Sequence, residues 1–322
     1  MRTLVTGGTG FVGSHLIESL RRRGDDVTAL VRSPARAAIL EPFGVTLAPG
    51  DLQDTNAMHR ALAGMEVVYH VAGLTAARNE AEFHRVNVDG TAAILAAAAQ
   101  AGVRRFVLVS SLAAAGPSPR GGRRANLEPS EPVTGYGRSK AAAEEVVRRG
   151  PVPWVIARPP AVYGPRDVEM LKVFKIARLG VAPVFGDGSQ ELSLVFGPDL
   201  ADALAAMGST AGVEGRVYYP AHPEVVTSGE LVRTIGRALG RRMRLVPLPR
   251  PVAGGILQLT GLAARLMGRA TLLTPDKANE FYQPAWTCDP APLERDTGWS
   301  AAHDLERGVA TTLAWYRHAG WL

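Results

Sequence analysis

The stretch "TLVTGGTGFVGSHL", residues 3–16, decides the fold, because three glycines stand where an apolar strand passes directly into a helix. Gly7 permits a tight turn, Gly10 lets the backbone approach a pyrophosphate, and Gly13 permits close packing of the helix on the strand. The helix start then offers unpaired N–H groups and the positive end of its dipole to the phosphates. This order of strand, loop and helix predicts a dinucleotide-binding site.

Around this stretch, short apolar runs alternate with helical patterns through the first half of the chain. "DVTALVR" (26–32), "RFVLVSS" (105–111) and "WVIARPP" (154–160) are continuously apolar, as in strands that are buried on both faces of a parallel sheet. Repeated strand–helix units predict an α/β fold with a doubly wound parallel (Rossmann) sheet.

Beyond residue 165, Pro and Gly interrupt shorter elements, which predicts a smaller, mixed C-terminal substrate domain. We expect residues 1–165 to form the nucleotide-binding domain, with residues 194–222 returning to it. Residues 166–322 should then form mainly the substrate-binding domain and a lid.

Composition narrows the class of protein. The 322 residues carry a net charge of +6, from 36 Lys and Arg against 30 Asp and Glu, and many of the positive residues are scattered arginines. A dense basic stripe interleaved with aromatic residues would indicate nucleic acid, and the sequence has none. We interpret the charge as an ordinary solvated surface.

Several features favour a cytoplasmic protein. The single cysteine, Cys288, excludes a disulfide framework within one chain and suits a reducing compartment. The N-terminus lacks the layout of a signal peptide, and the apolar segment 252–268 is short and interrupted by Arg265, so we expect no membrane span. The histidines and acidic residues show no metal-ligand spacing, and we expect no metal.

The second predicted strand ends on Arg32, where a dinucleotide site usually carries an acid that binds the ribose 2′-hydroxyl. An arginine can instead form two hydrogen bonds with a 2′-phosphate, and Arg36 is near enough in sequence to assist. Stacking of Arg32 on the adenine face, which NAD also permits, is the alternative. The position favours NADP over NAD.

"YGRSK" (136–140) supplies the candidate chemistry. Tyr136 and Lys140 are four residues apart on a predicted helix and therefore share one side of it. A neighbouring ammonium and a cationic nicotinamide would lower the tyrosine pKa from its usual value of about 10 and make it a general acid or base. Ser110 and Ser111 follow a strand, where ligands bind in such sheets, and either hydroxyl could hold a substrate oxygen or only cap the backbone.

With these residues in place, the chain resembles the extended short-chain dehydrogenase/reductase family over essentially its full length. The resemblance rests on "TGGTGFVG" (6–13), "GDL" (50–52), "HVAG" (70–73), "VNVDGT" (86–91), "VSSLAAAG" (109–116), "YGRSK" (136–140) and "RPPAVYGP" (158–165). It implies a nicotinamide cofactor and a Ser–Tyr–Lys triad of Ser111, Tyr136 and Lys140. The stretch "TALVRSP" (28–34) is similar to that of the NADP-dependent dihydroflavonol-reductase group, which agrees with the interpretation of Arg32. The chain as a whole resembles dihydroflavonol-reductase and 3β-hydroxysteroid-dehydrogenase-like reductases in style.

The resemblance also implies the cofactor contacts. Asp51 and Leu52 would contact the adenine, Ala72 and Gly73 would lie along the cofactor, and Pro159 would border the nicotinamide. The complete set of predicted cofactor-binding residues is Gly7, Gly10, Phe11, Val12, Gly13, Arg32, Arg36, Asp51, Leu52, Ala72, Gly73, Asn87, Tyr136, Lys140 and Pro159.

The family contains reductases, sugar-nucleotide epimerases and dehydratases, which share the triad. Leu112 and Ala113 stand where the dehydratases carry an Asp–Glu pair, which disfavours dehydration. Leu192 and Phe196 replace polar residues that epimerases present to a substrate diphosphate, and Arg158 replaces an asparagine. Epimerisation stays the alternative, because another arginine could bind the diphosphate: Arg166, Arg178 or Arg244.

We therefore predict an NADP-dependent oxidoreductase that transfers a hydride between the nicotinamide and a carbonyl or alcohol group of a small, lipophilic substrate. The apolar segment 252–268 and "LMGRATLL" (266–273) would form a lid over it. A non-catalytic NADP-binding sensor is the third reading, and the intact triad argues against it. The expected partner is a small molecule, with a homodimer as the candidate assembly.

Overall fold

A computed structural model of the chain describes residues 1–125, 128–267, 270–271 and 275–322, without the side chains of Arg36 and of residues 262–266. The strands in these ranges are β1 (Arg2–Thr6), β2 (Asp26–Val31), β3 (Thr46–Pro49), β4 (Val67–His70), β5 (Arg105–Val109), β6 (Trp154–Ala157), β7 (Ala161–Tyr163), β8 (Val181–Phe185), β9 (Glu191–Phe196), β10 (Arg216–Tyr218), β11 (Val225–Thr227), β12 (Arg244–Leu248) and β13 (Ala285–Trp286).

The α-helices in the same ranges are α1 (Phe11–Arg22), α2 (Thr55–Leu62), α3 (Glu80–Phe83), α4 (Gly90–Gln100), α5 (Leu112–Ala115), α6 (Gly135–Arg149), α7 (Val168–Ala177), α8 (Gly197–Ser209), α9 (Ser228–Ala238), α10 (Arg250–Leu266), α11 (Ala278–Phe281), α12 (Ala291–Thr297) and α13 (Leu305–His318). A π-helical segment, His84–Asp89, joins α3 to α4. No helix in the described ranges is long and apolar enough to cross a membrane.

The large sheet has seven parallel strands in the order β10-β6-β5-β4-β1-β2-β3, which confirms the predicted doubly wound fold. Successive residues of each strand enter opposite cores. Val5 and Val107 pack with α1 and α8 on one face, while Leu4 and Phe106 pack with α2, α4 and α6 on the other. Because both faces are covered, the strands need apolar residues at every position, which explains the continuous runs in the sequence.

The C-terminal half adds two smaller sheets. In one of them β9 pairs antiparallel with β11 and parallel with β13 and β7, so the predicted mixed character is confirmed. In the other, β8 pairs in parallel with β12. Strand β10 and helix α8 return to the large sheet, whereas the proposed division at residue 165 stays a prediction.

Candidate active site

The glycine loop is built for close approach of a ligand. Gly7 has a φ of +71°, and a Cβ on it would lie 2.6 Å from the backbone nitrogen of Ala72. A Cβ on Gly13 would collide with the carbonyl oxygen of Gly7, so α1 can pack against the loop only with glycine there. Helix α1 begins after Gly10, with no side chain capping its first N–H groups. These groups are left to bind an anion such as a pyrophosphate.

A single cavity of about 1690 Å³ runs from this loop along the carboxyl ends of the central strands. The structure brings most of the predicted site residues together on its wall. Those that line it are Gly7, Gly10, Phe11, Val12, Gly13, Arg32, Asp51, Leu52, Ala72, Gly73, Ser111, Tyr136, Lys140 and Pro159. Asn87 does not line the cavity, and the side chain of Arg36 lies outside the described residues.

Asn87 supports the cavity wall instead of forming it. It is buried in the π-helical segment, and its Oδ1 accepts a hydrogen bond from the Leu74 backbone N–H at 2.7 Å. Its Nδ2 donates to the Leu74 carbonyl at 3.0 Å and to Ser139 Oγ at 2.9 Å. The amide therefore fixes the loop after β4 that carries Ala72 and Gly73, and its polar atoms are occupied by the protein.

Arg32 is exposed at the end of β2 and lines the cavity, as the sequence predicted for a residue that reads the ribose. The nearest predicted adenine contact, Asp51, uses Oδ1 to accept hydrogen bonds from the N–H groups of Gln53 and Asp54. Its carboxylate is thus held by its own turn. A second arginine that was not predicted, Arg85, also lines the cavity, and its guanidinium lies 4.0 Å from a Glu82 carboxylate oxygen. The free N–H groups of α1 and these two cations fit an anionic dinucleotide.

The two serines after β5 have different surroundings. Ser110 is buried, and its hydroxyl donates a hydrogen bond to Glu144 Oε1 at 2.5 Å. Ser111 caps α5 by accepting a hydrogen bond from the Ala113 N–H at 3.1 Å, and it contacts Tyr136. The Ser111 hydroxyl lines the cavity beside Tyr136, whereas the Ser110 proton is committed to the carboxylate.

Tyr136 lies in the first turn of α6, beside the cavity. Burial raises the pKa of Tyr136 to about 12, and the contact with Ser111 acts in the opposite direction. From sequence, an ammonium and a bound nicotinamide were expected to lower this pKa, but Lys140 is not among the groups that shift it here, and Glu280 raises it. Tyr136 is therefore a neutral phenol near pH 7 and carries a proton that it can donate.

Lys140 lies one helical turn further along α6 and is almost fully buried. Its Nζ donates a hydrogen bond to the Val109 carbonyl at 2.7 Å, next to the two serines. Burial lowers the pKa of Lys140 to about 8, while Glu144 acts in the opposite direction. A Cβ on Gly73 would lie 3.6 Å from Nζ, so the ammonium also faces the loop after β4.

The segment that covers Tyr136 was missed by sequence reasoning. The Gly135 N–H donates to Asp276 Oδ2 at 2.8 Å, and Thr134 Oγ1 donates to Glu280 Oε1 at 2.7 Å. Lys277 pairs with Glu280, and its Nζ lies 5.4 Å from the centre of the Tyr136 ring. The one local signal is "PDKANE" (275–280), a charged helix start, and nothing in it indicates that it packs 140 residues away in sequence.

A buried ionic network lies directly behind the candidate triad. Arg158 and Glu144 are 2% and 0% exposed, and two nitrogens of the guanidinium donate to the carboxylate at 2.7 and 2.9 Å. Arg158 also donates to Tyr219 Oη and Ser130 Oγ, both at 2.9 Å. This arginine is therefore fully occupied and does not bind a substrate phosphate.

The positions that bear on epimerisation do not form the cavity wall. Leu192 and Phe196 pack in a core cluster with α13, outside the cavity. Arg166 pairs with Glu18 at 2.6 Å. Among the described residues that line the cavity, the basic ones are Arg32, Arg85, Lys140 and Lys172, and Lys172 is paired with Glu169. In the described ranges no group of His, Cys, Asp and Glu is arranged to hold a metal ion.

The comparisons with known proteins agree with this geometry. Residues 3–219 match the sequence profile of the NAD dependent epimerase/dehydratase family. The chain is 35% identical to a ceramide reductase of Caulobacter vibrioides, over 99% of this chain and 95% of that protein. It is 30% identical to a 2-alkyl-3-oxoalkanoate reductase of Stenotrophomonas maltophilia, over 96% and 97%. The UDP-glucose 4-epimerase of Thermus thermophilus, solved with NAD, superposes with a TM-score of 0.79 and 25% identity, over 99% and 100%.

Proposed function

Since the chain belongs to the NAD dependent epimerase/dehydratase family, we propose that it uses NADPH to reduce a carbonyl group of an apolar substrate that is not a nucleotide. Membership makes it an NAD(P)-dependent oxidoreductase of the extended short-chain dehydrogenase/reductase type. The finer proposal concerns its substrate, its cofactor and the roles of its residues.

The lining of the cavity beyond the candidate triad supports an apolar substrate. Beyond Ser111 and Tyr136, the cavity continues between α7, β8 and α10, where its wall is apolar: Val173, Ile176, Pro183, Phe185, Leu248, Ala253, Ile256 and Leu257. Asp167, Glu169 and Lys172 also line this end, and Lys172, the basic residue among the described ones that line it, lies 2.7 Å from a Glu169 carboxylate oxygen. A diphosphate would lose its hydration there without an arginine to replace it, whereas an alkyl chain gains from leaving water. The name of the ceramide reductase relative is consistent with such a substrate.

The residues then divide the reduction as follows. When bound along the glycine loop, the cofactor would supply the hydride for the carbonyl carbon. Ser111 donates a hydrogen bond to the carbonyl oxygen, and Tyr136 transfers its phenolic proton to that oxygen as the alcohol forms. The raised pKa of Tyr136 keeps the donor protonated before the reaction. Lys140 keeps a positive charge at the end of β5, next to the two serines, and solvent returns a proton to Tyr136 after each turnover.

Arg32 supports NADP as the cofactor, because it is exposed and free to form two hydrogen bonds with a 2′-phosphate. We expect Arg32→Ala to weaken NADPH binding roughly tenfold or more and to leave NADH binding nearly unchanged. Fluorescence titration of both cofactors measures this, with Arg60→Ala as a control on the exposed surface. An unchanged ratio of the two affinities would mean that Arg32 does not read the phosphate.

The reaction itself is tested by following NADPH consumption with a panel of ketones and aldehydes, alongside conversion of UDP-glucose to its epimer. The proposal expects stoichiometric oxidation of NADPH by apolar carbonyl compounds and no epimer. Faster epimerisation without net cofactor consumption would assign the protein to the sugar-nucleotide branch of the family.

A further inference from the structure

The exposed apolar side chains of this protein are concentrated around the far end of the cavity. Among the described residues, the large hydrophobic side chains that are exposed include Ile39 in the Rossmann half. The others form what we name the apolar rim: Val168, Ile176, Leu179, Val181, Val246, Val252, Ile256, Leu259 and Met267. Leu179 and Leu259 are 76% and 70% exposed. Single exposed hydrophobic residues are common on proteins, but a group of this kind marks a site of interaction.

The rim belongs to helices and strands whose solvent-facing side chains would ordinarily be polar. In α10, Ala253 and Leu257 face the cavity and are buried, yet Val252, Ile256 and Leu259 on the neighbouring face are exposed. This helix is therefore apolar over more than the stripe it needs for packing. Packing of α10 therefore does not explain why its exposed positions carry apolar side chains.

The two-stranded sheet of β8 and β12 also carries exposed apolar side chains. Ala182 and Val184 of β8 are buried, and the alternate position Val181 is exposed, as is Val246 of β12, which pairs with Pro183. Side chains alternate between the faces of a strand, so an outward face would ordinarily be polar. The exposed face instead carries Val181 and Val246 beside Arg244, which pairs with Val181.

The rim also surrounds an opening of the cavity. Val168, Ile176 and Ile256 are exposed to solvent and at the same time line the cavity. The apolar part of the cavity wall thus reaches the apolar surface through these three side chains, beside the Glu169–Lys172 pair that also lines the cavity.

Positive charge accompanies the rim along the chain. Residues 231–275 contain eight arginines and no Asp, Glu, Lys or His: Arg233, Arg237, Arg241, Arg242, Arg244, Arg250, Arg265 and Arg269. The rest of the chain then has 28 Lys and Arg against 30 Asp and Glu, so the net charge of +6 resides in this segment. Exposed arginines of this segment are compatible with an ordinary solvated surface, but their concentration in one segment of the chain calls for a further explanation.

Four of these arginines lie where β12 begins and where α10 begins. Arg241, Arg242, Arg244 and Arg250 are exposed, and none of them has an acidic partner in the described part of the chain. Unpaired guanidinium groups next to exposed aliphatic side chains match a surface that offers phosphates outside and hydrocarbon inside.

We propose that the apolar rim and its arginines dock the protein on an anionic lipid bilayer, with the cavity opening towards the hydrocarbon. A second copy of the chain is a poorer occupant, because a symmetric contact would bring the unpaired arginines of the two copies together. The docking itself is independent of the proposed reduction. That the cavity collects its substrate from the bilayer rests on the proposed function.

Sedimentation with lipid vesicles tests the docking. The wild-type protein should bind vesicles of phosphatidylcholine with phosphatidylglycerol, bind phosphatidylcholine alone far less, and be released as salt rises. Arg241→Ser/Arg242→Ser should weaken binding to the anionic vesicles roughly tenfold or more. Val252→Glu/Leu259→Glu should do the same, because it places carboxylates where the chain should enter the bilayer.

Matched variants separate this surface from a general effect. Ile39→Glu and Arg60→Ser/Arg317→Ser alter equally exposed residues away from the rim and should bind vesicles as the wild type does. All variants should retain NADPH binding and turnover of a short, water-soluble ketone, so a failure of docking is distinguishable from a failure of the proposed reaction. The proposal is overturned if the wild type does not bind anionic vesicles or if rim and control variants bind them equally. It is also overturned if Val252→Glu/Leu259→Glu converts a dimer to a monomer without changing vesicle binding.

Discussion

At the scale of single residues, burial assigns different tasks to the groups of the site. The phenol of Tyr136 is held neutral by burial, with a pKa raised to about 12, and the ammonium of Lys140 is destabilised, with a pKa lowered to about 8. Tyr136 therefore keeps its proton near neutral pH, and Lys140 keeps its charge only up to about pH 8. This combination suits proton donation to a carbonyl oxygen. The two shifts lead to separate predictions.

Tyr136→Phe removes the phenolic proton and keeps the ring. We expect turnover to fall by roughly 10²–10⁴-fold, the usual contribution of general acid catalysis, while the affinity for NADPH stays nearly intact. Steady-state rates on an accepted ketone, with cofactor titration, measure both quantities. Tyr163→Phe is the control, since this buried tyrosine lies outside the cavity. A folded Tyr136→Phe protein with wild-type turnover would remove the tyrosine from the chemistry.

The pKa of Lys140 determines where we expect kcat/KM to fall at alkaline pH. Its pKa is lowered, so the cation is present below about pH 8 and is lost as the pH rises through that value. We expect kcat/KM to fall above about pH 8 in the wild type. Lys140→Arg should retain part of the activity and move the limb to higher pH, because a guanidinium stays charged. An identical limb in Lys140→Arg would assign the titration to another group.

Ser110 shows how the structure sharpens a residue-scale expectation. From sequence alone either serine after β5 could hold the substrate oxygen, and one could replace the other. The 2.5 Å hydrogen bond from Ser110 to Glu144 commits that hydroxyl, so it is not expected to compensate for the loss of Ser111. Only the packing of α6 against β5 and β6 brings Glu144 to Ser110, and sequence spacing does not reveal it.

At the scale of elements, the Glu144–Arg158 pair joins α6 to β6 behind the site. Both side chains are essentially inaccessible, and Ser110 and Arg148 also bind the carboxylate. A buried pair contributes little compared with an apolar pair of the same shape, but removal of one partner leaves the other charge buried and alone. The pair therefore fixes how the helix that carries Tyr136 and Lys140 sits against the strand ends.

Arg158→Met should consequently lower the free energy of unfolding by about 3–5 kcal/mol. The double variant Arg158→Met/Glu144→Leu should recover much of that loss, because no isolated charge remains. Urea unfolding followed by circular dichroism measures both. Arg149→Ala breaks the exposed pair with Glu145 and should change stability by no more than about 1 kcal/mol. Equal losses in the single and double variants would contradict the account of the pair.

At the scale of the whole molecule, the features that could be predicted from the sequence are those that depend on a local residue pattern. The glycine loop, the continuous apolar strands and the "YGRSK" helix each carry their own signal, and the structure places their residues around one cavity. The parts that were missed depend on long-range packing. The pairing of β8 with β12 and the cover of segment 275–280 over Tyr136 join residues far apart in the chain. The packing of Leu192 and Phe196, which replace polar residues of the epimerases, was not visible from sequence: Phe196 is buried in a core cluster and Leu192 packs against it, partly buried.

The molecule as a whole combines a polar half that fits a dinucleotide with an apolar end that opens at an arginine-rich surface. The reductase proposal depends on the two halves sharing one continuous cavity. If an alkyl chain occupies the apolar end, each methylene that it buries contributes about 0.8 kcal/mol, or roughly fourfold in kcat/KM. Substrate length therefore reports directly on the apolar end.

The most direct measurement is kcat/KM for NADPH oxidation along a homologous series of straight-chain ketones, with the wild type and with Ala253→Phe. The account predicts a rise of up to about fourfold per methylene in the wild type. It also predicts that Ala253→Phe, which fills the apolar end, removes the rise for long ketones and spares the short ones. A kcat/KM that does not depend on chain length, together with faster epimerisation of UDP-glucose, would contradict the claim that this protein is a reductase of apolar carbonyl compounds.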